Sequence, residues 1–228
     1  MNNKKRIIIP LLAMLFVASF AAMQGHLSRT AQQMAKQGLV NIQSIDQSIK
    51  VSLMYTRPDN FCGTVLYTDL KEAFLHPKAA QALAKAQKEL KKLHPNLSLI
   101  VFDATRPISI QRIMWNKVKG TSKQNYVSNP ANGGGLHNYG MAVDISICNA
   151  KGDTLDMGTK VDYMGSASHI DKEQTLVAKK IISKQSVKNR QLLRTVMQKA
   201  GFKPLRTEWW HFNLISRTQA KRYYKVVK

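Results

Sequence analysis

Acidic residues and cysteines are scarce in this sequence. Asp and Glu together number 13 in 228 residues, against 35 Lys and Arg, which gives a formal net charge of +22. A charge of this size is typical of proteins that meet nucleic acid, anionic lipid or an anionic polymer. The basic residues are spread along the chain, however, and form no arm or recognition motif. We therefore expect a solvated basic surface and no nucleic-acid partner, with weak association with an anionic envelope polymer as the alternative.

The two cysteines, Cys62 and Cys148, are an even number, which suits a protein of an oxidising compartment. A disulfide between them would close a long loop and stabilise the fold by about 4 kcal/mol, because the unfolded chain would lose entropy. Two buried free thiols are the alternative, since the sequence does not tell how far apart the two residues lie.

The N-terminus combines a basic start with an apolar run. Lys4, Lys5 and Arg6 precede the apolar residues 7–22, so residues 1–22 are predicted to be a secretory signal peptide. No cysteine follows the run, which argues against a lipoprotein anchor. An uncleaved N-terminal anchor is the alternative, because the run is only slightly shorter than a membrane span. Either way, we expect the protein to be exported to the periplasm or cell envelope.

No internal repeat, low-complexity stretch or Pro/Gly-rich linker divides the rest of the chain. Residues 23–43 are predicted to be a polar leader and residues 44–228 a single domain. Apolar periodicity predicts helices at 77–93, 107–115 and 189–200, and strands at 49–53, 97–102, 141–148 and 208–214. Because helices and strands mix without a regular βαβ rhythm, we expect an α+β fold with a small, mainly antiparallel sheet flanked by helices.

Two separated segments carry the side chains of a metal site. His137 and Asp144 lie in G-G-G-L-H-N-Y-G-M-A-V-D, and Glu208 and His211 lie in E-W-W-H-F. Two imidazoles and a carboxylate are the ligand set of a catalytic zinc that keeps a fourth position open. An unpaired Asp144 inside an apolar strand would be costly, so it needs a cation or hydrogen-bond donors. Glu208 is then left to move a proton.

The second segment has a simpler alternative interpretation. It could be an aromatic strand with an exposed Glu208 and a packed His211. In the functional interpretation, Trp209 and Trp210 form a dry wall that raises the pKa of Glu208, which helps this carboxyl group to collect and deliver a proton.

A third segment, D-A-T-R-P, lies between a predicted strand and a predicted helix, where catalytic groups are often found. The guanidinium of Arg106 could stabilise an oxyanion there. Alternatively, Asp103 and Arg106 only pair with each other to close the loop. Asp103 would hold Arg106 in both cases.

The order and wording of these segments resemble the D-alanyl-D-alanine dipeptidases, a family of zinc peptidases. The matching stretches run in family order from about residue 44 to 215: M-Y-T-R-P-D-N-F-C-G, F-D-A-T-R-P-I-S-I-Q, V-S-N-P, L-H-N-Y-G-M-A-V-D-I, L-D-M-G-T, N-R, G-F-K-P and T-E-W-W-H-F. The last of these is characteristic of the dipeptidase branch. The resemblance implies the fold shared with D,D-carboxypeptidases and the zinc domain of hedgehog proteins.

The resemblance also implies a role for each site residue, and makes residues 44–228 a zinc peptidase domain. One zinc ion per chain would be held by His137, Asp144 and His211. Glu208 would be the general base, and Arg106 would stabilise the oxyanion. The substrate pocket would include Tyr55, Asp103 and Asp162, with the carboxylate of Asp162 suited to the α-ammonium of a free dipeptide.

Two positions depart from the family pattern in the expected pocket. Gly135 stands where the family commonly has a serine that helps to hold the substrate amine, and Thr105 stands where it tends to have tyrosine. The expected activity is hydrolysis of D-Ala-D-Ala or a related cell-wall-derived dipeptide. The alternatives are a D,D-carboxypeptidase or endopeptidase acting on peptidoglycan stem peptides, and a zinc module that binds without turnover.

Overall fold

The computed structural model describes residues 27–228. The predicted signal peptide at residues 1–22 therefore lies outside the described residues. The strands are β1 Val40–Asn41, β2 Lys50–Val51, β3 Phe74–Leu75, β4 Ser98–Asp103, β5 Ala142–Cys148, β6 Lys203–Leu205 and β7 Glu208–Asn213. The helices are α1 Arg29–Lys36, α2 Ile42–Ile45, α3 Pro77–Leu93, α4 Ile108–Val118, α5 Glu173–Ala178, α6 Lys184–Lys199 and α7 Arg217–Tyr223.

The centre of the molecule is a five-stranded sheet in the order β2-β4-β5-β7-β6. Its edge strand β2 runs parallel to β4, and every other neighbouring pair is antiparallel. Strands β1 and β3 form a separate antiparallel pair. The predicted α+β class with a mainly antiparallel sheet is therefore confirmed.

Apolar side chains explain where the main elements lie. All residues of β5 are buried, as expected of a central strand covered on both faces. Along α3, Ala79, Leu83, Ala86 and Leu90 are buried at helical spacing, and this helix packs against α6. The prediction of a helix at 77–93 is confirmed. Among residues 27–228, no helix is both long and apolar enough to cross a membrane.

Two helices have boundaries that differ from those expected. Pro107 is the N-cap residue before α4 rather than a residue of its first turn, and α4 continues to Val118, beyond the predicted end at residue 115. Helix α6 begins at Lys184, earlier than predicted, because the hydroxyl of Ser183 accepts a hydrogen bond from the backbone N–H of Ser186.

The described part of the predicted leader, residues 27–43, packs against the body of the protein. Ala31 and Met34 of α1 are buried in the same apolar core as the central strands, and Leu39 and Ile42 follow them. The hydroxyl of Ser28 caps the helix by accepting from the N–H of Ala31. Apolar side chains at helical spacing in a mostly polar segment are sufficient to anchor it.

Both cysteines are buried free thiols, which is the second of the two alternatives that the sequence left open. Cys148 is the last residue of β5 and pairs with Ser98 on β4. Cys62 lies in a loop, where its backbone N–H donates to the side-chain oxygen of Asn60. Burial, followed by the nearby carboxyl of Asp162, raises the pKa of Cys62 to about 11. Both thiols are therefore protonated at neutral pH.

Candidate metal centre and active site

The register of the central sheet places the candidate residues side by side. Asp144 on β5 pairs with Asp103 on β4 and with His211 on β7. Residues in such cross-strand positions are direct neighbours in an antiparallel sheet. Three segments that are distant in sequence therefore meet at one end of the sheet.

His137 reaches the same point from a tight turn, the 3₁₀ helix Leu136–Tyr139. Gly140 ends this turn with a φ of +65, which favours glycine. A side chain would not fit there, because its Cβ would lie 2.8 Å from the backbone N of His76. The backbone N–H of Arg106 donates to the carbonyl of His137 at 3.0 Å, and the Asn138 amide donates to the carbonyl of Arg106 at 2.7 Å. The turn is thus fixed to the loop that carries Arg106.

The side chains of His137, Asp144 and His211 form a metal-binding cluster, with one ligand atom from each lying within 4.8 Å of the others. His137 Nε2 lies 3.3 Å from Asp144 Oδ1 and 3.2 Å from His211 Nδ1. The distance between Asp144 Oδ1 and His211 Nδ1 is 2.9 Å. Two ring nitrogens and a carboxylate oxygen that converge in this way fit the donor set of a zinc ion.

The remaining ring nitrogens are held by acceptors. His137 Nδ1 lies 2.6 Å from the carbonyl oxygen of Ala104, and His211 Nε2 lies 2.9 Å from Asn213 Oδ1. Both partners are acceptors, so these two ring nitrogens donate. With a metal ion bound, His137 would present the lone pair of Nε2 to it, and His211 would present that of Nδ1.

Arg106 is bound by the carboxylate of Asp103, as both interpretations of this loop predicted. Its Nε and Nη2 donate to Asp103 Oδ2 at 2.9 and 2.6 Å, and Tyr67 donates to the other oxygen at 3.0 Å. Burial by itself would lower the pKa of Arg106, but Asp103 raises it well above the usual value. Arg106 also lines the cavity beside the metal cluster. It therefore carries a fixed charge next to the cluster.

A cavity of about 440 Å³ opens at the cluster, a volume suited to a small molecule. Its wall contains Glu208 and Asp162, two carboxyl groups outside the metal cluster. Burial, only partly offset by His211, raises the pKa of Glu208 to about 7. A cation bound at the cluster would lower this pKa.

Asp162 is held in an unusual conformation. Its φ is +69, in the left-handed region that residues other than glycine rarely adopt. The hydroxyl of Tyr55 donates to Oδ1 at 3.2 Å and the backbone N–H of Phe61 to Oδ2 at 3.3 Å. Burial and the charge of Asp144 raise the pKa of Asp162 to about 7. Strain and burial of this kind are typical of functional positions.

These two carboxyl groups predict how the stability of the metal-free protein changes with pH. Asp162 and Glu208 have folded-state pKa values of about 7, above the ordinary values of 3.8 and 4.5 for these side chains. The folded state therefore binds more protons than the unfolded state across that window, so stability falls as pH rises from about 4 to about 7. Each group contributes at most about 4 kcal/mol.

Thermal unfolding of the metal-free Asp162→Asn variant would check this expectation. Its melting temperature should fall less than that of the parent chain between the same two pH values. Equal slopes for the two proteins would show that Asp162 titrates normally.

Two sequence-based expectations about this cavity need correction. Of the two adjacent tryptophans, Trp210 lines the cavity and Trp209 does not. Trp209 instead donates from Nε1 to Thr159 Oγ1 at 2.7 Å, and its ring packs under the guanidinium of Arg190 at 5.6 Å. Thr105, which was expected in the substrate pocket, does not line the cavity. Its Oγ1 lies 2.9 Å from the point that a Cβ on Gly140 would occupy.

Several cavity residues were not predicted from the sequence, although Gln111 and Ser128 lie in stretches that match the dipeptidase family. The side-chain oxygen of Gln111 accepts from Arg106 Nη1 at 2.9 Å. The hydroxyl oxygen of Tyr126 lies 3.3 Å from His169 Nε2. Ser128 also lines the cavity. Asn213 had a usable signal, since it lies two residues after His211 on the same strand and so on the same face.

A fold and site of this kind define a metallopeptidase, and comparison with known proteins agrees. The model of the Peptidase_M15 family, described as D-ala-D-ala dipeptidase, matches residues 35–228. The chain belongs to this family.

Three relatives named D-alanyl-D-alanine dipeptidase show how far the similarity extends. The protein of Escherichia coli K12 is 31% identical over 176 residues, which cover 77% of this chain and 84% of that protein. The protein of Streptomyces coelicolor is 25% identical over 204 residues, covering 80% and 94%. The protein of Synechocystis is 28% identical over 160 residues, covering 58% and 65%.

Proposed function

We propose that this protein is an exported zinc dipeptidase that hydrolyses D-Ala-D-Ala or a related cell-wall-derived dipeptide. The observation that carries the proposal is a small cavity whose wall combines the metal-binding cluster with two further carboxyl groups, Glu208 and Asp162. Membership of the dipeptidase family and the names of the relatives support the substrate class.

The cluster fits one zinc ion per chain, held by His137, Asp144 and His211. The two imidazoles already have their other nitrogens bonded to Ala104 and Asn213, so each ligand atom is oriented before an ion arrives. When bound, zinc supplies a Lewis acid that polarises the scissile carbonyl and makes water more acidic.

Glu208 acts as the general base and acid. It takes a proton from the attacking water and passes it to the leaving amine. Burial raises the pKa of this carboxyl group and keeps it from being solvated by bulk water, while a bound cation would lower the pKa again and leave the carboxylate ready to accept a proton.

Arg106 stabilises the negative charge that develops on the carbonyl oxygen. Its bonds to Asp103 and Gln111 leave one N–H on Nη1 and one on Nη2 without these partners. Because the guanidinium is buried and fixed, it needs no reorganisation as charge develops.

Asp162 binds the α-ammonium of the substrate and so limits the enzyme to free dipeptides. Its oxygens are held by Tyr55 and Phe61, and the whole group is buried in the cavity wall. A buried carboxylate pairs strongly with an ammonium but has no favourable contact for an acylated nitrogen.

The experiment that tests this function compares free D-Ala-D-Ala with its N-acetyl derivative, each with zinc and after chelation. We expect amine release only from the free dipeptide and only with zinc present. Cleavage of both compounds would instead indicate a carboxypeptidase. Cleavage of neither would contradict the proposal.

We also propose that the protein resides in the periplasm or cell envelope, because residues 1–22 have the pattern of a signal peptide. A basic groove beside the active site supports weak association with an anionic envelope polymer. Arg217 lines both the cavity and this groove, and Lys221 and Arg222 continue it along α7.

A further inference from the structure

The hydroxyl of Ser128 occupies the space beside Gly135 in the cavity wall. A Cβ added to Gly135 would lie 2.9 Å from Ser128 Oγ and 3.3 Å from Ser128 Cβ. Both residues line the cavity. The side chain of Ser128 therefore fills the volume that any side chain at position 135 would enter.

Ser128 is held in place through its backbone. Gln111 donates from Nε2 to the carbonyl of Ser128 at 2.8 Å, and its Oε1 accepts from Arg106 Nη1 at 2.9 Å. Gln111 is 1% exposed, so this bridge is shielded from water. Within residues 27–228, the Ser128 hydroxyl itself has no hydrogen-bond partner. It is a positioned polar group that is free to bind a ligand.

We propose that Ser128 is a substrate-binding residue whose hydroxyl oxygen accepts a hydrogen bond from the α-ammonium of a free dipeptide. This inference rests on the proposed function. Asp162 already accepts from Tyr55 and Phe61, and an ammonium carries more donors than one such carboxylate can take. The carboxylate end of the substrate has other partners, because the cations of Lys203 and Arg217 also line the cavity.

The first test measures the contact between positions 128 and 135 by thermal unfolding, without any ligand. Gly135→Ala alone should lower the melting temperature, because its Cβ would meet Ser128 Oγ. Adding Ser128→Ala should restore part of the loss, since the nearer of the two contacts disappears. Strictly additive effects of the two substitutions would overturn the proposed packing.

The second test measures ligand binding by calorimetry in the zinc-loaded Glu208→Gln chain, in which turnover should be slowed by about 10²–10⁴-fold. The ligands are D-Ala-D-Ala and N-propionyl-D-alanine, which lacks only the ammonium group. Ser128→Ala should weaken binding of D-Ala-D-Ala about tenfold, equivalent to about 1.4 kcal/mol, and leave binding of the propionyl compound unchanged. Ser122→Ala, which removes an exposed hydroxyl from the same loop, is the matched control and should change neither.

Failure of this inference and failure of the proposed function give different results. If the parent chain hydrolyses D-Ala-D-Ala but Ser128→Ala binds both ligands normally, or loses both equally, only the role of Ser128 is overturned. If the parent chain shows no turnover but binding still depends on Ser128 and the ammonium, the proposed function fails and the inference holds. Absence of any dipeptide binding would overturn both.

Discussion

Replacing Glu208 by glutamine should lower kcat for D-Ala-D-Ala by about 10²–10⁴-fold while the zinc content stays unchanged, because proton transfer by a positioned side chain contributes that much. Glu208 lines the cavity but is outside the cluster of metal-binding atoms. Glutamine keeps the shape of the side chain and removes its ability to accept a proton. Amine release and metal analysis of the same preparation would measure both quantities.

The matched control is Glu72→Gln. Glu72 does not line the cavity, and its carboxylate accepts a hydrogen bond from the backbone N–H of Lys71. It should leave both turnover and zinc content unaltered. Full activity of Glu208→Gln would contradict the role of this residue as general base. Loss of zinc together with activity would show instead that Glu208 is a ligand.

Replacing Asp144 by alanine should abolish zinc binding and, with it, turnover. Although burial opposes ionisation, His137 and His211 hold the pKa of Asp144 well below its usual value, so the carboxylate is charged and ready to bind a cation. Without it, two imidazoles remain beside the guanidinium of Arg106, whose Nη2 lies 3.8 Å from Asp144 Oδ2. Two ligands next to a positive charge are a poor zinc site.

A graded comparison makes this prediction more specific. Asn213→Ala removes only the acceptor that orients His211, so zinc affinity should fall by about 10–100-fold rather than vanish. Asn149→Ala, in the turn after β5, is the control and should have no effect. Competition titrations with a chelator would rank the variants. An Asn213→Ala protein with unchanged affinity would contradict the orienting role of this hydrogen bond.

The sequence predicted the elements that bury continuous or periodic apolar side chains. Strands β4, β5 and β7 and helix α3 follow directly from such patterns. Helix α7 was missed because Ala220 is its only buried residue. Its position depends on contacts with distant parts of the chain, which local periodicity does not contain.

The metal ligands were predictable because His137, Asp144 and His211 are chemically conspicuous. Their convergence in the structure agrees with that prediction. The strand register that brings them together, and the ring nitrogen that each histidine presents, required coordinates. The roles of Ser128 and Gln111 were not predictable, although both residues lie in stretches that match the family, because serine and glutamine have many uses and only their contacts reveal which one applies.

The metal-binding cluster is assembled from segments that are far apart, with His137 and His211 separated by 74 positions. No short stretch of the chain contains the complete ligand set, so an unfolded chain has no comparable affinity for the ion. Whatever free energy the ion gains on binding is therefore added to the free energy of folding. An ion at this position would act as a reversible cross-link between the turn at residues 136–139 and strand β7.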